Sequence, residues 1–415
     1  MTKTEILDVI KNGESSSVEF KRDDVENFEL AKELVAFLNF QGGMVLLGIA
    51  DDGSIYGTSR ENLEDWVAAL CRVKIEPPII PHLTWIRGLE PEKNILVVRV
   101  PIGPDKPYAR VHKNHRTYYI RVGGTSVEAG RDELERMFQA SGRIQYGLKP
   151  VPGSSLDDLD RRRLKDYLGR VLGSSYPSDE NAAEWERLLL NMDLLIKSDD
   201  LVSVTIDGML LFGKNPKRFI PQSGIRAIAY PGNHPDYATR ADQDLKGAMT
   251  PLFSQDGAIL EPSLLESSLV EQALDFIKRN TEVTAHLEGG ARRVDRPSYP
   301  EEVLREVIVN SLVHRDYSIA GTDILLNIFA DRLEVRSPGP LPNTVTVDGL
   351  KVGLRYARNQ TLVNVMRDYR YVDFRGMGIR QKVIPGMFAH NGTEPDFIAD
   401  EWSFTVRLWK ENQSR

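Results

Sequence analysis

Three groups of residues have side chains and spacings suited to chemistry. In the segment Glu301–His314, Glu306, Asn310 and His314 fall at i, i+4 and i+8 and form one polar stripe, while Val303, Leu304, Val307, Ile308 and Leu312 make an apolar face. A carboxylate that polarises water, one turn from an amide oxygen able to reach magnesium, is what metal-assisted ATP hydrolysis uses. The same spacing also describes an ordinary solvated helix face. Two glycine-bearing turns follow. Ser337-Pro338-Gly339 ends a strand, and Arg375-Gly376-Met377-Gly378-Ile379 precedes a short helical stretch whose N-terminus can receive phosphate. Either turn equally serves a backbone that needs positive φ.

The second group lies near the N-terminus. Glu19 and Lys21, two apart on a strand, point to one face, and Asp51 or Asp52 ends a second strand nearby. Carboxylates beside a lysine could hold a divalent metal against a phosphodiester and activate water. They could also pair as a structural salt bridge, with Asp52-Gly53 serving only as a turn. The third group is basic: Lys106, Arg110, Lys113, Arg116 and Arg121, interleaved with His112, His115, Tyr108, Tyr118 and Tyr119, with no acid from Lys106 to Val127. In a chain of net charge −7, any contact with nucleic acid must come from such a local patch.

A fourth segment only looks chemical. Gly208-Met209-Leu210-Leu211-Phe212-Gly213-Lys214-Asn215 nearly matches a P-loop, but Asn replaces the Ser or Thr that holds magnesium, and four apolar residues lie between the glycines. A phosphate cradle must keep its backbone N–H groups open, so a buried packing segment is expected here, and strand unwinding is not.

The elements that must position these groups can be placed from pattern. Asp23 and Asp24 suit the start of a helix with Phe28, Ala31, Val35 and Leu38 on one face, ending before Gly42-Gly43. Met44 to Ala50, the Asp52-Gly53 turn and Ile55-Tyr56-Gly57 suit a hairpin. Strands are expected at 95–100, 117–122, 201–206, 324–329, 333–335 and 403–408, and helices at 156–172, 184–193 and 301–314. The Pro-, Gly- and Ser-bearing stretch Leu148 to Ser155 suits a linker.

In this order the motifs resemble known families. Glu14-Ser15-Ser16-Ser17-Val18-Glu19-Phe20-Lys21, Ala36-Phe37-Leu38-Asn39-Phe40-Gln41-Gly42-Gly43 and Leu47-Gly48-Ile49-Ala50-Asp51-Asp52-Gly53 resemble the Schlafen AlbA-like domain over about residues 10 to 130. By that resemblance Glu14, Glu19 and Asp51 would form the metal-binding catalytic carboxylates of a Schlafen-type nuclease, with Lys21 beside them. Glu302 to Ser318, the Ser-Pro-Gly turn, Arg375 to Ile379 and Phe404-Thr405-Val406 resemble the RecG-like C-terminal domain, which is similar to the GHKL ATPases; Leu211 to Pro216 extends the likeness to about residues 200 to 410. That resemblance implies Glu306 as general base, Asn310 as magnesium ligand, Gly339 in the first glycine turn, Gly376 and Gly378 in the phosphate lid, and Thr405 beside the adenine. One departure is visible: Arg336-Ser337-Pro338-Gly339 lacks the aspartate that reads the adenine amino group, and the nearest, Asp331, lies across the strand.

At 415 residues, 41% apolar and 27% charged, the chain is too long for one ordinary core and close to the globular average. The expected class is α+β multidomain: an AlbA-like α/β domain at 1–146, a linker and middle α/β region at 147–290, and a GHKL-like α/β sandwich at 291–415. One cysteine, Cys71, no apolar run of membrane length and no secretory start point to the cytoplasm. The expected function is an ATP-responsive nucleic-acid-binding protein, a homodimer using ATP with Mg²⁺ or Mn²⁺, acting in transcriptional regulation or defence. A metal-dependent nuclease and a non-enzymatic DNA-binding regulator with a degenerate nucleotide site are the alternatives. DNA and RNA both stay open.

Overall fold

The computed structural model describes residues 1–199, 201–254, 263–288, 292–342, 345–354, 356–372 and 378–410. The chain is an α+β protein of two compact units, residues 1–144 and 145–415.

The first unit runs α1 (Lys3–Asn12), β1 (Val18–Lys21), α2 (Asn27–Asn39), β2 (Gly43–Leu47), α3 (Leu63–Val73), β3 (Ile75–Glu76), β4 (His82–Glu90), β5 (Lys93–Val100), β6 (Ala109–His112), β7 (His115–Val122), β8 (Thr125–Glu128) and α4 (Arg131–Ala140). One sheet has the order β1-β2-β5-β4, with β1 and β2 parallel, and a second has the order β3-β6-β7-β8. Because alternate strand residues face opposite ways, Val45 and Leu47 of β2 join a core with α2 and α3, while Leu46 joins another with Ile6 of α1. Helix α2 packs against both sheets, which explains why nearly its whole length is buried.

Two expectations are corrected here. Glu26, not Asp23 or Asp24, occupies the N-cap of α2; Asp23 instead accepts the Ser59 and Arg60 amides at 2.5 and 2.8 Å. The chain does turn back at Asp52-Gly53, with an antiparallel bridge between Ile49 and Ile55 and the Ala50 and Tyr56 amides donating to the Ser54 and Gly48 carbonyls at 3.0 and 2.9 Å, but the return is short, because β2 itself is claimed on both sides by β1 and β5.

The second unit runs α5 (Arg161–Asp166), α6 (Ala182–Asn191), β9 (Leu195–Ser198), β10 (Leu201–Val204), α7 (Ile206–Phe212), α8 (Pro216–Phe219), β11 (Ile225–Ala229), β12 (Ala241–Leu245), β13 (Leu252–Phe253), β14 (Leu264–Glu266), α9 (Leu269–Asn280), β15 (Val283–Glu288), β16 (Arg292–Pro297), α10 (Glu301–Val313), β17 (Ile324–Ile328), β18 (Arg332–Pro338), α11 (Val347–Val352), α12 (Gln360–Asp368), α13 (Ile384–Asn391), β19 (Asp396–Ala399) and β20 (Ser403–Trp409). Its main sheet has the order β12-β11-β17-β18-β20-β19. Strands β11 and β12 come from the stretch expected as a middle region, yet β11 pairs in parallel with β17, Ile225 opposite Ile324. A two-stranded ribbon buries too little to stand alone, so the residues on either side of 290 share one sheet and one core.

Two further segments sit in that core. Val151 is 3% exposed and its amide donates to the Val204 carbonyl at 2.8 Å, so the Pro-Gly-Ser stretch is packed where a loose linker was expected. All seven residues of α7 are buried, and a Cβ on Gly208 would overlap the Leu194 carbonyl oxygen. Helix packing accounts for the P-loop lookalike.

Candidate functional sites

Helix α10 buries Val303, Leu304, Val307, Ile308 and Leu312, and it also buries Glu306 at 5% exposure. A carboxylate there needs partners. Asn310 donates its Nδ2 to Glu306 Oε1 at 3.1 Å, and Lys382 Nζ lies 3.7 Å from Glu306 Oε2. Lys382 belongs to a π-helical turn, Ile379–Val383, that begins at Gly378. A Cβ at 378 would overlap the Glu306 carboxyl group, so only glycine lets that backbone approach so closely. The Glu306–Asn310 bond uses the amide nitrogen and leaves Asn310 Oδ1, the atom a magnesium ion takes, outside it.

The structure thus brings Glu306, Asn310 and Gly378 together. Gly376 lies outside the described residues. His314, the third member of the stripe, belongs to a different cluster: burial and then the charge of Arg358 push its imidazole down to about 4. Arg358 Nη1 donates to the His314 carbonyl at 3.1 Å and Nη2 to the Pro340 carbonyl at 2.6 Å, while Asn359 donates to the Val313 and Arg315 carbonyls at 3.0 and 2.9 Å. This clamp joins the end of α10 to the first glycine turn. Gly339 has φ 110°, and a Cβ there would meet Asp316 Cβ at 2.5 Å.

Thr405 sits half-buried on β20 opposite Arg336 of β18. At the end of β18, within the Arg336–Gly339 stretch that lacks an aspartate, the Ser337 hydroxyl donates to the Ser311 carbonyl at 2.8 Å. Asp331 pairs with Arg332 at 2.9 Å at the start of the strand. Lys382 and Arg358 carried no spacing signal of their own, since each meets its partners only through the fold.

In the first unit β1 places Glu19 and Lys21 on one face, as the period of a strand requires. Lys21 Nζ lies 2.6 Å from Glu19 Oε1, and Arg121 Nη1 lies 2.9 Å from Glu19 Oε2. Arg121 Nη1 is also 2.7 Å from Glu33 Oε2 on α2, and Nη2 donates to the Ser15 and Gly124 carbonyls at 2.7 and 2.9 Å. Burial lowers the affinity of Lys21 for its proton, but its bond to Glu19 and the charges of Glu33 and Glu14 outweigh that and hold the ammonium above its ordinary range. Burial and then the charges of Glu19 and Asp51 hold Glu14 above the usual carboxylate range, against the Phe20 amide that donates to it at 2.8 Å.

Glu14, Glu19 and Asp51 are therefore neighbours, but they do not fit a metal. Both Glu19 oxygens already face cations, and Glu14 is engaged by the Phe20 amide. Among the described residues no group of three or more His, Cys, Asp or Glu side chains is arranged to hold a metal ion. No cleavage step follows from these carboxylates.

The basic segment is also sorted by the fold. Arg121 has a fully buried side chain and is a structural cation, not a phosphate contact. Lys106 donates to the Phe40 carbonyl at 2.6 Å, and burial pushes its ammonium down to about 8, which removes it from the surface as well. Arg116 is exposed in a bidentate pair with Glu76 at 2.9 and 3.0 Å, and Lys113 is exposed at the β6–β7 turn. Arg110 is half-buried, its guanidinium 5.1 Å from the Tyr119 ring and 5.7 Å from that of Phe28. Asn39, quoted in a motif but assigned no role from sequence, ties β6 and β7 to α2: Nδ2 donates to the Tyr108 and Tyr119 carbonyls, both at 2.8 Å, and Oδ1 accepts the Tyr108 amide at 2.7 Å.

Residues 14–130 match the family model "Schlafen, AlbA_2", and residues 321–408 match "Putative ATP-dependent DNA helicase recG C-terminal"; these two matched domains suggest a nucleic-acid-associated, ATPase-like protein. Helix α10, with Glu306 and Asn310, precedes the second matched span. Among solved structures, the DIP2311 protein of Corynebacterium diphtheriae is 20% identical with a TM-score of 0.41, covering 98% of this chain and 79% of that one. The N-terminal domain of a RecG-related protein from Nitrosomonas europaea is 23% identical with a TM-score of 0.25, covering 32% of this chain and 93% of that one. No curated protein matches the chain. Among the described residues no helix is long and apolar enough to cross a membrane.

Proposed function

We propose that the chain is an ATP-responsive nucleic-acid-binding protein, in which nucleotide at the second unit alters nucleic-acid binding by the first. The observation that carries this is the junction of Glu306, Asn310 and Gly378: a buried carboxylate one helical turn from an amide, with a glycine backbone pressed against it. Asn310 Oδ1 would hold magnesium, which would neutralise phosphate charge, and Glu306 would take the proton of the attacking water. Lys382 adds a cation beside Glu306 that a phosphate can share. Adenine selection would rest on contacts other than the family aspartate, which the Arg336–Gly339 stretch lacks. A homodimer in the cytoplasm, acting in transcriptional regulation or defence, is the setting that fits this reading.

Calorimetry with Mg²⁺ and ATP tests it. Binding heat is expected from the wild type, weaker binding from Asn310→Ala, and binding without hydrolysis from Glu306→Ala. No heat from the wild type would sink the nucleotide reading. Nucleic-acid affinity that is identical with and without ATP would sink the coupling. Metal-dependent cutting is not proposed, since both oxygens of Glu19 are held by Lys21 and Arg121.

A further inference from the structure

The first unit contains a cavity of about 470 Å³ between the start of α2, the loop before α3, the end of α3 and β6. Arg60, Lys74, Arg110 and His112 line it, together with Phe28, which is 42% exposed. Only two of these were singled out in the basic run of sequence. Arg60 and Lys74 are brought in by the fold from positions 46 and 32 residues upstream of Lys106, where that run begins.

The walls are fixed to one another by bonds that do not use the cationic groups. Asp23 accepts the Ser59 and Arg60 amides, holding the loop against the end of β1. Trp66 of α3 donates its Nε1 to Asn27 Oδ1 of α2 at 2.8 Å. The Val111 amide donates to the Lys74 carbonyl at 2.8 Å, and β3 pairs with β6, placing Ile75 opposite Arg110. The guanidinium groups rest on rings: Arg60 lies 4.0 Å from the Trp66 centroid, and Arg110 lies between Tyr119 and Phe28. Among the described residues Arg60, Lys74 and Arg110 form no ion pair with a carboxylate, and Arg110 Nε is buried with no hydrogen-bond partner. Glu26 supplies no side-chain cap to the first turn of α2, which also ends in this cavity.

A preformed hollow with three permanent cations and a half-exposed aromatic ring matches the chemistry of a nucleotide within a chain, one phosphate beside one base face. We propose that this cavity binds single-stranded nucleic acid, with backbone phosphate on Arg60, Lys74, Arg110 and His112 and a base stacked on Phe28. A duplex keeps its bases stacked on one another and offers no free face to Phe28, so the single strand is the occupant. Two exposed carboxylates at the rim, Asp24 and Glu26, oppose phosphate and weaken the site. The proposal rests on the nucleic-acid-binding reading above and deepens it.

The test uses the full chain and fluorescent single-stranded RNA and DNA oligonucleotides, with the matching duplexes, over a range of salt. Lys74→Ala should lower the logarithmic salt slope by about 0.7, the value for one phosphate contact on a single strand. Phe28→Ala should weaken single-strand binding by about tenfold and leave the slope unchanged, as loss of a stacked base does. Asp24→Asn with Glu26→Gln should tighten binding. Thermal melting of each variant confirms that the exposed or half-buried substitutions leave the fold intact. Duplex binding as tight as single-strand binding overturns the proposal. So does wild-type binding that survives Lys74→Ala and Phe28→Ala but falls in Lys113→Ala or Arg116→Ala, an outcome that keeps the nucleic-acid reading while moving its surface to the β6–β7 hairpin. Absence of any nucleic-acid binding by the wild type overturns both.

Discussion

Replacing Arg121 with methionine removes the cation at the centre of the first unit. The side chain is 0% exposed, and Glu19 and Glu33, at 8% and 5%, would stay buried without it. Breaking a buried pair by deleting one partner costs about 3–5 kcal/mol, because the remaining charge is left in a poor solvent. Lys21 still faces Glu19 at 2.6 Å, and Lys32 lies 3.6 Å from Glu33, so the lower end applies, about 3 kcal/mol. At about 3 °C for each kcal/mol in a unit of this size, the melting of the first unit should fall by roughly 9 °C. With two units in one chain a global transition mixes both, so the loss is best read by hydrogen exchange in peptides from β1, α2 and β7. Adding Glu33→Gln should recover part of the loss, since it removes one orphaned charge. A loss under about 1 kcal/mol, the size of an exposed pair, would refute the account of Arg121 as a buried structural cation.

Other perturbations give separable outcomes. His314→Gln should flatten the acid sensitivity of the second unit: the folded imidazole sits at about 4 against an ordinary 6.5, so its contribution is present above pH 6.5 and lost as pH falls toward 4. A variant losing stability as steeply as wild type across that window would refute this. Glu14→Gln should gain stability relative to wild type as pH rises past the ordinary carboxylate range, because a carboxyl with a raised folded pKa stabilises below its unfolded value and loses that as it ionises; an unchanged pH profile by urea titration would contradict it. Gly378→Ala should impair ATP hydrolysis in a steady-state assay, as its methyl group must displace the Glu306 carboxyl. Arg116→Ala should change stability by less than about 1 kcal/mol, since its pair with Glu76 is exposed on both sides.

The sequence by itself determined the local patterns. The period of α10 placed Glu306 and Asn310 one turn apart, the period of β1 placed Glu19 and Lys21 on one face, and the apolar filling of the Gly208–Gly213 stretch marked a buried segment. These depend only on spacing along one element, so a linear reading captures them. Charge alone misled at Lys106 and Arg121, because a basic residue looks the same in sequence whether it faces water or a buried carboxylate. Which it faces depends on α2 lying between two sheets, which brings Glu33 to Arg121 and the Phe40 carbonyl to Lys106. Likewise Lys382 meets Glu306, and Arg60 and Lys74 meet Arg110, across separations that no period spans. The sheet shared by β11 and β17 has the same origin: strand partners are chosen by exposed backbone edges and buried area, and those exist only once the chain has folded.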